Sequence, residues 1–223
     1  MFPVNCYLIE EETELTVIDA ALPYSYKEIL KTAEQIRKPI TCIVLTHAHV
    51  DHIGSLDALK NVLPEAKVYI SAREAKLMAH DRSLEAGEPQ IPIRGDVSKK
   101  LQTRPDVLLQ DGDQIGSLKA VCTPGHTPGS MAFLDIRNNS LITGDALQTR
   151  GGLAVAGKIN LTFPFPALGT WSKELSIDSA RKLRGLSPSL LATGHGLMLP
   201  NPLHPMDRAI IEAEKYITKK KHM

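Results

Sequence analysis

Seven residues after one apolar run constrain this chain more than any other feature. Ile40-Thr41-Cys42-Ile43-Val44-Leu45 reads as a buried strand, and Thr46-His47-Ala48-His49-Val50-Asp51-His52 follows it directly. Four potential metal ligands therefore stand on the loop at a strand's C-terminal end, where a rigid scaffold can hold them within reach of an ion. His47 and His49 alternate with small residues, so both rings can turn the same way, and Asp51 and His52 follow at an offset that suits a second, adjacent ion. The chain has only eight histidines, so three within six residues are not a chance polar loop. The expectation is a metal site with two ions.

Three later motifs repeat the pattern of ligand after strand. His126 lies in Cys122-Thr123-Pro124-Gly125-His126-Thr127-Pro128-Gly129-Ser130, Asp145 in Leu141-Ile142-Thr143-Gly144-Asp145-Ala146, and His195 in Leu191-Ala192-Thr193-Gly194-His195-Gly196. Each follows a short apolar run and is preceded by glycine, whose missing β-carbon permits a sharp turn and a close approach. One such histidine alone would read as a hydrogen-bonded structural residue. Four strand-end motifs in this order point to a metal centre.

His-x-His-x-Asp-His, then Pro-Gly-His-Thr-Pro-Gly, then Gly-Asp, then Gly-His-Gly resembles the metallo-β-lactamase-fold superfamily, over about residues 5–195. The resemblance implies an α/β fold, an αββα sandwich of two mixed β-sheets flanked by helices. It implies that His47, His49 and His126 hold a first metal, that Asp51, His52 and His195 hold a second, and that Asp145 bridges them. The ligand types suit zinc first, with iron, manganese or cobalt also compatible. Another short strand, Leu15-Thr16-Val17-Ile18, ends on Asp19. In similar proteins an Asp here orients a ligating histidine; the alternative is an Asp that caps the following turn. Relatives usually have a further strand upstream of residues 4–9, so a truncated chain or a missing first strand is expected.

Length and charge narrow the rest. A chain of 223 residues suits a single domain, 1–223. A net charge of +1 implies no bulk attraction to nucleic acid or membrane. Lys219-Lys220-Lys221 reads as a solvated tail. Cys6, Cys42 and Cys122 lack CxxC spacing and read as reduced, buried thiols. With no apolar stretch near the ~20 residues of a membrane span and no signal peptide, the expected location is the cytoplasm.

The pattern predicts a hairpin of 4–9 with 14–19, a helix over 24–37, and a helix from 54 to 62 after the metal loop. A strand at 68–70 and a helix at 72–79 follow. Strands near 107–109 and 117–122 flank the turn Asp111-Gly112-Asp113, and a second hairpin joins 131–136 to 140–144 across Asn138-Asn139. A helix over 171–186, a strand at 189–193 and a helix over 206–218 close the chain. Residues 80–106 and 148–170 are too rich in Gly and Pro for regular structure. The second leaves the site just after Asp145 and carries Phe163 and Phe165, so it reads as a pocket wall or lid, or else as a surface or dimer contact. Arg150 within it could meet an anionic group of a substrate or simply lie at the surface.

The chemistry the resemblance implies is hydrolysis of a small-molecule ester, thioester or lactone type bond by a metal-bridging hydroxide, with Asp51 as general base. Asp145 argues against a specialised β-lactamase, whose equivalent position usually holds another residue. Gln148 stands where lactonases often carry Tyr, and Gly-Asp-Ala-Leu-Gln departs from the usual glyoxalase II pattern. The alternatives are a mononuclear iron sulfur dioxygenase, or lactamase or phosphodiesterase side activity on the same scaffold. The expected partner is a small-molecule substrate, without nucleic acid or membrane, and with a homodimer left open.

Overall fold

The computed structural model describes residues 3–221. The chain divides into two compact units, Met1–Arg82 with Asp96–Gln110, and Ser83–Gly95 with Asp111–Met223.

The first unit is built on a five-stranded mixed sheet in sequential order: β1 (Tyr7–Glu10), β2 (Leu15–Ile18), β3 (Ile40–Val44), β4 (Lys67–Ser71) and β5 (Val107–Leu109). β1 and β2 form the expected hairpin, Tyr7 opposite Ile18, although β1 starts three residues later than the sequence pattern predicts. From β2 to β5 every pairing is parallel. Consecutive parallel strands need helical crossovers, and these are α1 (Tyr26–Ile36), α3 (Leu56–Val62) and α4 (Ala72–Met78). Arg37, in the left-handed region at φ 63°, ends α1 by turning its N–H onto Ala33 O and Glu34 O. All four residues of β2 are buried, as are Ile43, Val44, Ile70, Leu59, Leu77 and Met78.

The metal loop is not all loop. Residues Val50–Ile53 form a single helical turn, α2, closed by His52 N and Ile53 N donating to His49 O. Four residues leave no periodicity for the sequence to show.

The second unit carries a six-stranded mixed sheet. Its strands are β6 (Gln114–Ile115), β7 (Leu118–Cys122), β8 (Met131–Asp135), β9 (Ser140–Ile142), β12 (Leu190–Ala192) and β13 (Leu199–Pro200), ordered β13-β12-β9-β8-β7-β6. β9 and β12 are parallel, while β7, β8 and β9 alternate. Strands β7, β9 and β12 therefore run the same way, and their C-terminal ends reach one edge of the sheet. The β8–β9 hairpin turns through Asn139 at φ 59°, as Asn138-Asn139 predicts. The strands on either side of the turn at residues 111–113 are formed as expected, β5 in the first sheet and β7 in the second.

Residues 148–170 are more regular than their composition suggests. β10 (Leu147–Gln148) pairs with β11 (Ala154–Val155) in a small antiparallel ribbon, and Phe165–Gly169 forms the short helix α5. Helices α6 (Lys173–Gly185) and α7 (Leu203–Lys221) complete the unit, burying Ile177, Ala180, Leu183, Met206, Ala209 and Ala213 in its core. Residues 80–106 are irregular, as predicted. The three cysteines are free but half-buried rather than buried. Among the described residues no helix is long and apolar enough to cross a membrane. The side chains of Lys220 and Lys221 in the basic run lie outside the described residues.

Candidate metal centre

In the first unit, parallel pairing brings the ends of β2 and β3 together, Ile18 opposite Val44. Asp19 leaves β2 in the left-handed region at φ 62°, a conformation that Asp tolerates better than most residues. Its carboxylate is buried and accepts three hydrogen bonds: Thr46 N on Oδ1, and Thr46 Oγ1 and His52 Nδ1 on Oδ2, each at 2.8 Å. Asp19 is thus an orienting residue for His52 and no mere turn cap. His47 joins the same network, its Nδ1 lying 3.0 Å from Thr46 Oγ1.

These contacts assign tautomers. Thr46 spends its one hydroxyl proton on Asp19, so its oxygen accepts from His47 Nδ1, and Asp19 accepts from His52 Nδ1. Both neutral rings then present an Nε2 lone pair. The rings of His47 and His52 lie 4.1 Å apart, and His49 stands edge-on to His47 at 4.7 Å. Asp51, on α2, is the most open member, with its carboxylate 3.9 Å from His52 Nε2. His47, His49 and His52 are buried.

Glu74 is a site-supporting residue that the sequence reading missed. It is fully buried on α4, and its Oε2 accepts from Ala48 N at 2.9 Å, fixing the backbone between His47 and His49. The only trace in the sequence is Ser71-x-x-Glu74, a helix-start pattern; Ser71 does cap Glu74 N.

Cys6 offers no thiolate near this network. Burial first, and the Asp19 charge second, push its thiol up to about 11.

In the second unit, the common direction of β7, β9 and β12 delivers His126, Asp145 and His195 to one edge. Asp145 sits on a single 3₁₀ turn, Gly144–Ala146, after β9; Gly194 N donates to Gly144 O at 2.8 Å and ties the two ligand loops together. Asp145 Oδ2 lies 3.2 Å from His195 Nε2 and 3.5 Å from His126 Nε2. The loop carrying His126 is held by the start of α6, where Trp171 N and Ser172 N donate to His126 O and Gly125 O. Gly125 is required there: at φ 143°, a β-carbon would fall 2.4 Å from Ser176 N. The close approach is to α6, not to the site itself.

Thr170 also escaped the sequence reading, since nothing links a residue 44 positions away to His126. Its hydroxyl donates to Pro166 O at 2.6 Å, so its oxygen accepts from His126 Nδ1 at 3.2 Å. His126 Nε2 then bears a lone pair facing the Asp145 carboxylate. Two acceptors pointed at each other repel unless a cation lies between them. The buried His/Asp clusters, three of their imidazoles fixed at Nδ1 so that Nε2 carries the lone pair, therefore fit a divalent ion.

Gln148 is buried, and its amide donates to Phe163 O at 3.4 Å. Phe163 in turn is buried against His195, ring centroids 5.1 Å apart. Phe165 is exposed, and the same segment, through Gly151, Asn160 and Leu161, walls a cavity of about 460 Å³.

This fold and these motifs place the chain in the metallo-beta-lactamase superfamily, to which it belongs: the family model matches residues 1–195. Its neighbours in sequence include the uncharacterized protein YobT of Bacillus subtilis (strain 168), 56% identical, with 96% of this chain and 92% of that protein covered. The probable metallo-hydrolase YflN of the same strain is 29% identical over 86% of this chain and 80% of its own. Among solved structures, TTHA1623 in a di-iron-bound form matches with a TM-score of 0.64 at 25% identity, covering 90% of this chain and 91% of that one. The two mixed sheets with their flanking helices are those of the metallo-β-lactamase fold, as the strand-end motifs predict.

Proposed function

We propose that this chain is a dinuclear metal hydrolase acting on an ester, thioester or lactone type bond of a small molecule. The observation that carries the reading is the orientation of the imidazoles. Asp19, Thr46 and Thr170 engage the Nδ1 atoms of His52, His47 and His126, which leaves each Nε2 as the lone-pair atom that metal binding requires. In this reading His47, His49 and His126 hold one ion, Asp51, His52 and His195 the other, and Asp145 bridges them. Bound there, the ions would supply an acidified water and a Lewis acid for the scissile carbonyl. Asp51, the most solvent-accessible of the carboxylates, would accept the proton of the attacking water. Asp145 would fix the spacing, and Phe163, held by the Gln148 amide on its carbonyl, packs against the His195 ring.

Zinc is the first candidate metal, with iron next because TTHA1623 has a di-iron-bound form. The test is metal analysis of protein purified without added metal, alongside assays on neutral ester, thioester and lactone panels. About two ions per chain with hydrolysis supports the reading. About one iron, with dioxygen uptake on a persulfide and no hydrolysis, replaces it with the sulfur dioxygenase alternative.

A further inference from the structure

We propose that Arg150 is the specificity-determining cation of this site, binding a carboxylate that the substrate carries away from the bond to be cleaved. The inference rests on the hydrolase reading and narrows its substrate class to anionic acyl compounds.

Arg150, Phe163 and His195 form a chain of contacts. The guanidinium carbon lies 5.2 Å from the centroid of the Phe163 ring, which in turn meets the His195 imidazole at a tilt, 5.1 Å between centroids. A guanidinium lying over an aromatic face keeps its N–H edge outward, and that planar fork matches the two oxygens of a carboxylate. The two contacts therefore set a cation one aromatic ring away from a candidate metal ligand.

The backbone holds the same geometry. Thr149 N and Arg150 N both donate to His195 O, at 2.9 and 3.1 Å, and Asn160 Nδ2 donates to Arg150 O. This close approach depends on Gly196 at φ 111°, where a β-carbon would come within 2.3 Å of Arg150 N. Arg150 is exposed, yet among the described residues no acidic side chain pairs with it. Arg137, Arg181 and Arg184 differ, being bound to Asp135, Glu214 and Asp207. A cation tied by its backbone to a ligand loop, and left without an internal counter-ion, is placed to meet an anion from outside.

Such a substrate would put its scissile carbonyl at the metals and its carboxylate a few methylenes away. The test compares monomethyl glutarate with methyl hexanoate on the metal-loaded full-length chain. The parent should prefer the carboxylate ester. Arg150→Gln should lower the ratio of the two kcat/KM values at least tenfold, mainly through KM, and Arg150→Lys should restore part of it. Calorimetric titration of glutarate against pentanoate gives a readout independent of turnover, and the glutarate preference should vanish in Arg150→Gln.

Several results overturn the assignment: a parent without carboxylate preference, a ratio unchanged within twofold in Arg150→Gln, or loss of bound metal in that variant, which would make Arg150 scaffold. If neither ester is cleaved, the metal analysis and the thioester and lactone panels decide the hydrolase reading, and the glutarate titration decides separately for or against Arg150.

Discussion

Asp19 does more at the centre than any ligand, since two oxygens serve three donors and, through Thr46, orient two imidazoles. An amide in its place has one acceptor atom and an NH₂ that would face a donor. Asp19→Asn should therefore cost about 10–100-fold in metal affinity while leaving the fold intact. Competition with a chromophoric chelator measures this, and affinity equal to the parent's would make the network incidental. Asp145→Asn makes a different prediction. Removing the bridging charge should weaken one ion more than the other, so titration with metal should split into two separated steps. A variant that binds two ions as tightly as the parent would show that Asp145 is not the bridge. His47→Ala and His126→Ala should each abolish nearly all activity and lower metal content, because in the proposed centre either would leave the first ion only two imidazoles.

Among the elements, what the sequence made legible is what local chemistry writes. Apolar runs leading into His-x-His-x-Asp-His, Gly-His or Gly-Asp show both the strand and the candidate ligand, so β3, β7, β9 and β12 and all seven candidate ligands could be read from it. Asp19 was half legible, as a strand-ending carboxylate with two possible roles. Glu74 and Thr170 were not, because each acts on a backbone or ring far away in the chain. β10, β11 and α2 are too short for periodicity to register. Another long-range tie shows how the irregular segment is fastened. Asp57 on α3 accepts from Gln102 N, Thr103 N and Thr103 Oγ1. Burial works to raise its pKa, but the Thr103 hydroxyl, the two N–H groups and Arg104 outweigh it and hold the carboxyl below its usual value. A depressed folded pKa means the stabilisation is present above the unfolded value and is lost as pH falls through the folded one. Asp57→Ala should destabilise the chain by about 1 kcal/mol at pH 7. The gap in melting temperature between parent and variant should close below about pH 4; a gap independent of pH would assign the loss to packing.

At the scale of the whole molecule, the sequence order of the ligands matters more than their number. His47, His49, Asp51 and His52 belong to the first compact unit, and His126, Asp145 and His195 to the second. If the proposed centre draws on both sets, ion binding stabilises the two units as one event. Ions at about a thousand times their Kd add about 4 kcal/mol per site. For a chain of this length, each kcal/mol moves the melting point by about 2–4 °C. Loading with zinc should then raise the Tm of chelator-treated protein by about 10 °C or more. Two signals report on different regions. Trp171 is the only tryptophan, buried in the second unit with its indole N–H on Ile91 O, so its fluorescence follows that unit alone. Far-ultraviolet circular dichroism follows the helices of both. The zinc-induced shift should be equal by the two measurements. A shift in the dichroism without one in Trp171 would confine the ions to the first unit, and the seven-ligand centre would be wrong however well its motifs match.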